Sequence, residues 1–128
     1  MRLLLDTHVL LWWFTNDPQL SPGARNAIAN EDNVVLVSAA SAWEIATKHR
    51  LGKLPIGAET LRRFDELVSA DGFTHLPMNF LQAIRAGSYP MSHRDPFDRM
   101  LVAQAELEGV PLVTADPAFK AFPVQLLW

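Results

Sequence analysis

The 128-residue chain contains no cysteine. That absence excludes disulfides, thiolate zinc sites and a cysteine nucleophile, and it suits a reducing, cytoplasmic setting. Long hydrophobic runs are missing as well. The apolar N-terminus is interrupted by Asp6, it lacks the organisation of a signal peptide, and no apolar stretch approaches the roughly 20 residues of a membrane span. There is no excess of positive charge: the net charge of −3 does not announce a nucleic-acid binder. The four histidines, His8, His49, His75 and His93, show no zinc-type spacing such as H-E-x-x-H. No linker, internal repeat or low-complexity segment divides the sequence. Residues 1–128 therefore read as one domain, long enough for a real core. Apolar content of 49% and charged content of 20% are ordinary for a soluble globular protein.

What is present is a pattern of acids. Asp6 ends the apolar run Leu3-Leu4-Leu5, and Asp116 ends Leu112-Val113-Thr114-Ala115. Both resemble carboxylates at the C-terminal tips of parallel strands. Glu44 sits early in a helix predicted to follow the strand Val34–Val37, and Asp98 lies in the first turn of a later helix. In an open α/β sheet, ligands bind in the crevice beyond the strand ends. Carboxylates gathered there repel one another, and the usual reason to gather them is a hard divalent cation with oxygen ligands. Discounting these four acids from the net charge leaves about +1, so a nucleic-acid substrate stays open.

The periodicity predicts alternating strands and helices. Leu3–Asp6 is read as a strand, followed by an apolar helix through Phe14. Ser21-Pro22 supplies a cap and a proline at the first position of a helix reaching about Asn30. Val34–Val37 is a buried strand, and 38–51 a helix ended by Gly52. One helix is predicted over 56–69, with Leu61, Phe64, Leu67 and Val68 at helical spacing. A short strand over 73–76 stops at Pro77. Helices follow over 80–86 and 96–108, the latter stopped by Gly109 and Pro111. Leu112–Thr114 is a strand and Val124–Leu127 an edge strand. This order implies βαβ units and a mostly parallel sheet of four to five strands covered on both faces.

Each acid also has a structural reading. Asp6 can be a helix N-cap. Glu44 completes a capping-box pattern with Ser41 and has Lys48 four residues on, a favourable solvent-face pair. Asp95-Pro96 and Asp116-Pro117 are cap signatures. For Asp95 the cap is the primary reading, with Arg99 as a possible ion-pair partner. Asp98 is harder to dismiss. Leu101, Val102 and Ala105 share its helix face, and a carboxylate on such a face is costly unless paired or metal-bound.

The residues themselves carry a resemblance. Leu4-Leu5-Asp6-Thr7-His8-Val9-Leu10-Leu11-Trp12 resembles the opening of PIN domains, specifically of the VapC-type toxin ribonucleases. The stretch Ser41-Ala42-Trp43-Glu44-Ile45-Ala46-Thr47-Lys48 and its continuation to Leu54 does too. Asp95-Pro96-Phe97-Asp98-Arg99-Met100-Leu101-Val102-Ala103-Gln104-Ala105 is similar to the third acidic motif, and Leu112–Asp116 to the fourth. The blocks run in family order from residue 1 to about 120. The resemblance implies a PIN-like α/β/α sandwich with the first strand central. It also implies an acidic cluster that binds Mg²⁺ or Mn²⁺ and cleaves RNA, and a small antitoxin as partner. Asp6 and Asp98 would be the principal metal ligands, completed by Glu44 and Asp116. Thr7, Ser38 and Thr114 lie where hydroxyls orient carboxylates or waters, and Asp95 is an accessory acid beside the third motif.

The chemistry suits these residue types. A bound cation polarises a phosphoryl oxygen and activates water, so no side-chain nucleophile is required, and the products would carry 5′-phosphate and 3′-hydroxyl ends. Lys48, Arg94 and Arg99 are candidate phosphate contacts. Leu10–Phe14 is denser in large apolar groups than one helix stripe needs, and the surplus suggests a homodimer or antitoxin interface. Other classes fit less well. A haloacid-dehalogenase-type phosphatase wants a second Asp where His8 stands. A receiver domain needs two acids near the first strand. The remaining alternatives are a degenerate PIN module that binds RNA or protein, and a solitary nuclease that is not a toxin.

Overall fold

In the computed structural model, which describes all 128 residues, five strands form one fully parallel sheet. They are β1 (Arg2–Leu5), β2 (Val34–Ser38), β3 (Thr74–Leu76), β4 (Leu112–Val113) and β5 (Leu126–Leu127). Their spatial order is β3-β2-β1-β4-β5, so the first strand is central. Seven α-helices make the crossovers: α1 (Thr7–Thr15), α2 (Pro22–Ala29), α3 (Ala39–Arg50), α4 (Ala58–Arg62), α5 (Phe64–Ala70), α6 (Phe80–Ser88) and α7 (Pro96–Glu108). A short 3₁₀ helix spans Pro117–Ala121.

The three layers follow from strand alternation, which sends successive side chains to opposite faces. Leu3 and Leu5 of β1, Val35 and Val37 of β2, and Val113 of β4 join one core with Val9, Leu10, Ile28, Ile45, Phe64 and Val68. Leu4, Leu36 and Leu112 join the opposite core with Leu101, Val102, Ala105, Phe119 and Phe122. The central strands are apolar at successive positions, Leu3–Leu5 and Val35–Val37, because both faces are covered there.

Most predicted elements are present within a residue or two. Ser21 caps α2 through the Ala24 amide, and Gly109, in the left-handed region at φ 65°, ends α7. Two readings are corrected. The predicted helix over 56–69 is two helices, broken at Arg63. Its buried anchors, Phe64 and Val68, both lie in the second piece, and a short helix depends on such packing. The capping box at Ser41–Glu44 does not form. Ser38 already caps the Ala40 amide, so α3 begins three residues earlier and Ser41 and Glu44 are interior. The half-buried aromatics of α1 have partners within the chain. Trp13 donates its indole N–H to Asp71 at 2.8 Å, Phe14 meets Phe64 edge-on at 5.7 Å, and Trp12 meets Trp128 at 6.0 Å.

Candidate active site

β1, β2 and β4 all end at one edge of the sheet, and the N-terminus of α7 reaches the same edge. Asp6 follows β1 directly. It occupies the N-cap position of α1, yet its carboxylate makes no cap bond. Instead Oδ2 accepts the Thr114 hydroxyl at 2.8 Å, across from the end of β4. Asp6 is 3% exposed. Burial raises its pKa; the Thr114 hydroxyl and the neighbouring His8 pull it back, and the charge of Glu44 pushes it up again. A carboxylate buried at energetic cost, with its oxygen bonded across the sheet to Thr114, does more than cap a helix.

Glu44 reaches the site from the second turn of α3. The pair with Lys48 exists, Nζ to Oε2 at 2.5 Å, but not on a solvent face: Glu44 is 2% exposed. Its other oxygen, Oε1, is buried without any hydrogen-bond partner. An unpartnered buried carboxylate oxygen is expensive and rare. It is the one observation here that asks for a ligand from outside the chain.

Asp98 comes from the first turn of α7, part-buried. Its Oδ2 shares a hydrogen bond with His93 Nε2 at 2.9 Å. Its pKa is pushed up to about 6, first by burial and then by the charges of Asp95, Asp6 and Glu44, against the His93 bond that lowers it. Asp6, Glu44 and Asp98 are thus brought into one electrostatic neighbourhood from three elements distant in sequence. Asp95 caps α7 through the Phe97 and Asp98 amides, as its primary reading held. Asp116 is exposed and caps the 3₁₀ helix through the Ala118 amide, while its own amide donates to the Thr114 hydroxyl.

Side chains of oxygen donors suit a hard cation. As they stand, no three of the acidic and histidine side chains converge closely enough to hold one. One oxygen of each acid is turned to a protein partner, Thr114, Lys48 or His93. The Glu44 Oε1 atom and the raised affinities of Asp6 and Asp98 for a proton are the marks of a set that a cation would satisfy.

The accessory residues divide. Thr114 orients an acid as expected. Thr7 instead shares a 2.8 Å hydrogen bond with Ser41, and Ser38 donates to Gln104. Arg99 is not free for phosphate: its guanidinium donates to the carbonyls of Ala86, Tyr89, Met91 and His93 at 2.6–3.1 Å. Nor does it pair with Asp95. Arg94 is exposed beside the site. Lys48 is anchored on Glu44 and lies near Asp95 and Asp98. No spacing in the sequence marks the bonds of His93 to Asp98 and of Ser41 to Thr7.

The comparisons with known proteins agree with the fold. The family model of the PIN domain matches residues 3–124. Ribonuclease VapC22 of Mycobacterium tuberculosis is 31% identical over 115 residues, 89% of this chain and 86% of that protein. Among solved structures, DNA-bound VapBC from Salmonella typhimurium superposes with a TM-score of 0.73 at 18% identity, covering 98% of this chain and 96% of that one. VapBC2 from Rickettsia felis, bound to a DNA fragment from their promoter, gives 0.71 at 17% identity, with 98% and 97% covered. At those identities the two structures speak for the fold.

Proposed function

The chain belongs to the PIN-domain family, among its VapC-type members, and on that premise we propose that it is a metal-dependent endoribonuclease serving as the toxin of a toxin–antitoxin pair. The observation that carries the reading is the Glu44 Oε1 atom, buried and unpartnered, in the same electrostatic neighbourhood as Asp6 and Asp98. Asp6, Glu44 and Asp98 would hold the cation, with Asp116 at the rim. A bound Mg²⁺ or Mn²⁺ supplies Lewis-acid polarisation of the phosphoryl oxygen and a water of lowered pKa.

The chain's own residues do the rest. Thr114 fixes the rotamer of Asp6. Lys48 holds one oxygen of Glu44 and leaves the other for the site. His93 does the same for Asp98. Arg94, and the part-exposed side chain of Lys48, are the cations that would meet RNA phosphates.

Two apolar surfaces would serve the partners. An apolar cavity of about 740 Å³ between α3, α4–α5 and β3, lined by Ala42, Ala46, Leu61, Phe64, Val68 and Leu76, is the surface assigned to an antitoxin segment. A homodimer would use a different face. Phe80, Leu81 and Ile84 of α6 are 79%, 70% and 54% exposed, and Trp43 stands across a hollow of about 300 Å³ from that helix.

The test is cleavage of structured RNA by purified protein with Mg²⁺ or Mn²⁺ and with excess EDTA. Chelation should abolish activity, and Asp6→Asn and Asp98→Asn should each lose at least ~100-fold. Undiminished cleavage in EDTA would remove the metal mechanism.

A further inference from the structure

Residues 89–95 connect α6 to α7 without regular structure, yet they are fastened at many points. Tyr89 is buried and donates its hydroxyl to Glu106 at 2.7 Å. The Arg99 guanidinium, one residue after Asp98, donates to four carbonyls: Ala86, Tyr89, Met91 and His93. Three of these carbonyls lie in the connection itself. His93, at its far end, is walled by Phe122 edge-on at 5.6 Å and by Phe119 at 6.1 Å, and it bonds Asp98. Asp98 and Arg99 thus project from one helical turn to the two ends of a closed circuit. Arg99 holds the strap, the strap carries His93, and His93 returns to Asp98.

We propose that Arg99 is a positioning residue for the acidic site: its fork of hydrogen bonds fixes the 89–93 strap and thereby holds His93 against Asp98. This rests on the ribonuclease reading only for its consequence in catalysis. Four carbonyls arranged around one guanidinium need a planar donor with several N–H groups. A lysine ammonium has three N–H bonds on one nitrogen and cannot reach all four in that plane. Arg99→Lys therefore keeps the charge and loses the geometry. A residue that merely stabilised the fold would lower the melting temperature without acting through His93 in particular.

The experiment compares the parent protein with Arg99→Lys, His93→Ala and the double variant. The first readout is the NMR spectrum of the imidazoles, with His93 identified by the signals lost in His93→Ala. In the parent, His93 should give one ring-current-shifted set; in Arg99→Lys it should move toward solvent-exposed values or broaden, while His8, His49 and His75 stay. The second readout is RNA cleavage with Mn²⁺. Arg99→Lys should lower kcat by roughly 10- to 100-fold with KM changed little, as misplacement of a site group does. The double variant should be no slower than His93→Ala. An unmoved His93 signal in Arg99→Lys, or losses that multiply in the double variant, overturns the proposal. If Arg99→Lys does not fold, loss of catalysis in His93→Ala supports the circuit, and parent-like kcat in that variant overturns it. Should the parent cleave no RNA, the ribonuclease reading fails, and the NMR comparison still decides the role of Arg99.

Discussion

Replacing Asp98 by Asn should make the metal-free protein more stable at neutral pH while abolishing its activity. The Asp98 carboxyl is held at a pKa of about 6 against an ordinary 3.8, chiefly by burial and then by Asp95, Asp6 and Glu44. Below 3.8 the group is protonated in both folded and unfolded chains, and the fold carries no penalty. Between 3.8 and 6 the folded state binds more protons than the unfolded one, so stability falls as pH rises. Above 6 the penalty is complete, at about 3 kcal/mol, taking 1.36 kcal/mol per pKa unit. Linkage puts it at about 1 kcal/mol at pH 4.5 and about 3 kcal/mol at pH 7.5. Asn cannot ionise, so its advantage over the parent should widen by about 2 kcal/mol between those conditions, or several degrees in Tm. Urea melts of both proteins in EDTA at the two pH values measure it. If Asp98 were held mainly as an ion-pair partner of His93, the sign would reverse, and Asn would destabilise the fold near neutrality. A less stable Asp98→Asn at pH 7.5 therefore refutes the reasoning.

Other outcomes follow from the same contacts. Manganese in excess should raise the parent's Tm, by about 2.7 kcal/mol of stabilisation at 100 times its Kd, and Asp98→Asn should lose most of that rise. Lys48→Met strands the Glu44 carboxylate; urea melts should show a loss of about 1–3 kcal/mol, discounted from a fully buried pair because Lys48 is part-exposed. Thr114→Val removes both the bond to Asp6 and the one from the Asp116 amide, and should cost about 1–3 kcal/mol, read by denaturation. Asp95→Asn should keep most activity, because Asn still caps α7; parity with Asp98→Asn would reverse the two roles. Ile84→Asp should shift light scattering at micromolar concentration toward monomer if α6 is the homodimer face.

The fold was legible in the sequence because its signals are local. β1, β2 and β4 are short apolar runs closed by Asp6, Ser38 and Thr114, and their continuity reports burial on both faces. Proline and glycine mark α2 and α7 directly. What failed depended on a choice between neighbours. Ser38 and Ser41 are both plausible caps, and the one nearer the strand end wins, because the strand fixes where the helix must begin. The α1 aromatics looked surplus because their partners, Phe64, Asp71, Phe73 and Trp128, are far along the chain.

The site was half legible for a reason that also explains its chemistry. Acids at strand ends are visible as sequence punctuation, but each acts through a donor that sequence distance hides: Thr114 is 108 residues from Asp6. Arg99 shows the limit most clearly. Beside an acidic motif it reads as a phosphate contact or as the i+4 partner of Asp95, since charge and spacing are all a sequence shows. Its actual partners are backbone carbonyls, which any residues could have supplied, so no side chain in the strap announces them. The geometry that converts Arg99 from a substrate contact into a support for His93 exists only once the connection between α6 and α7 has folded over it. The acids are legible in the sequence; the groups that hold one oxygen of each, and leave Glu44 Oε1 unpartnered, are set by tertiary structure.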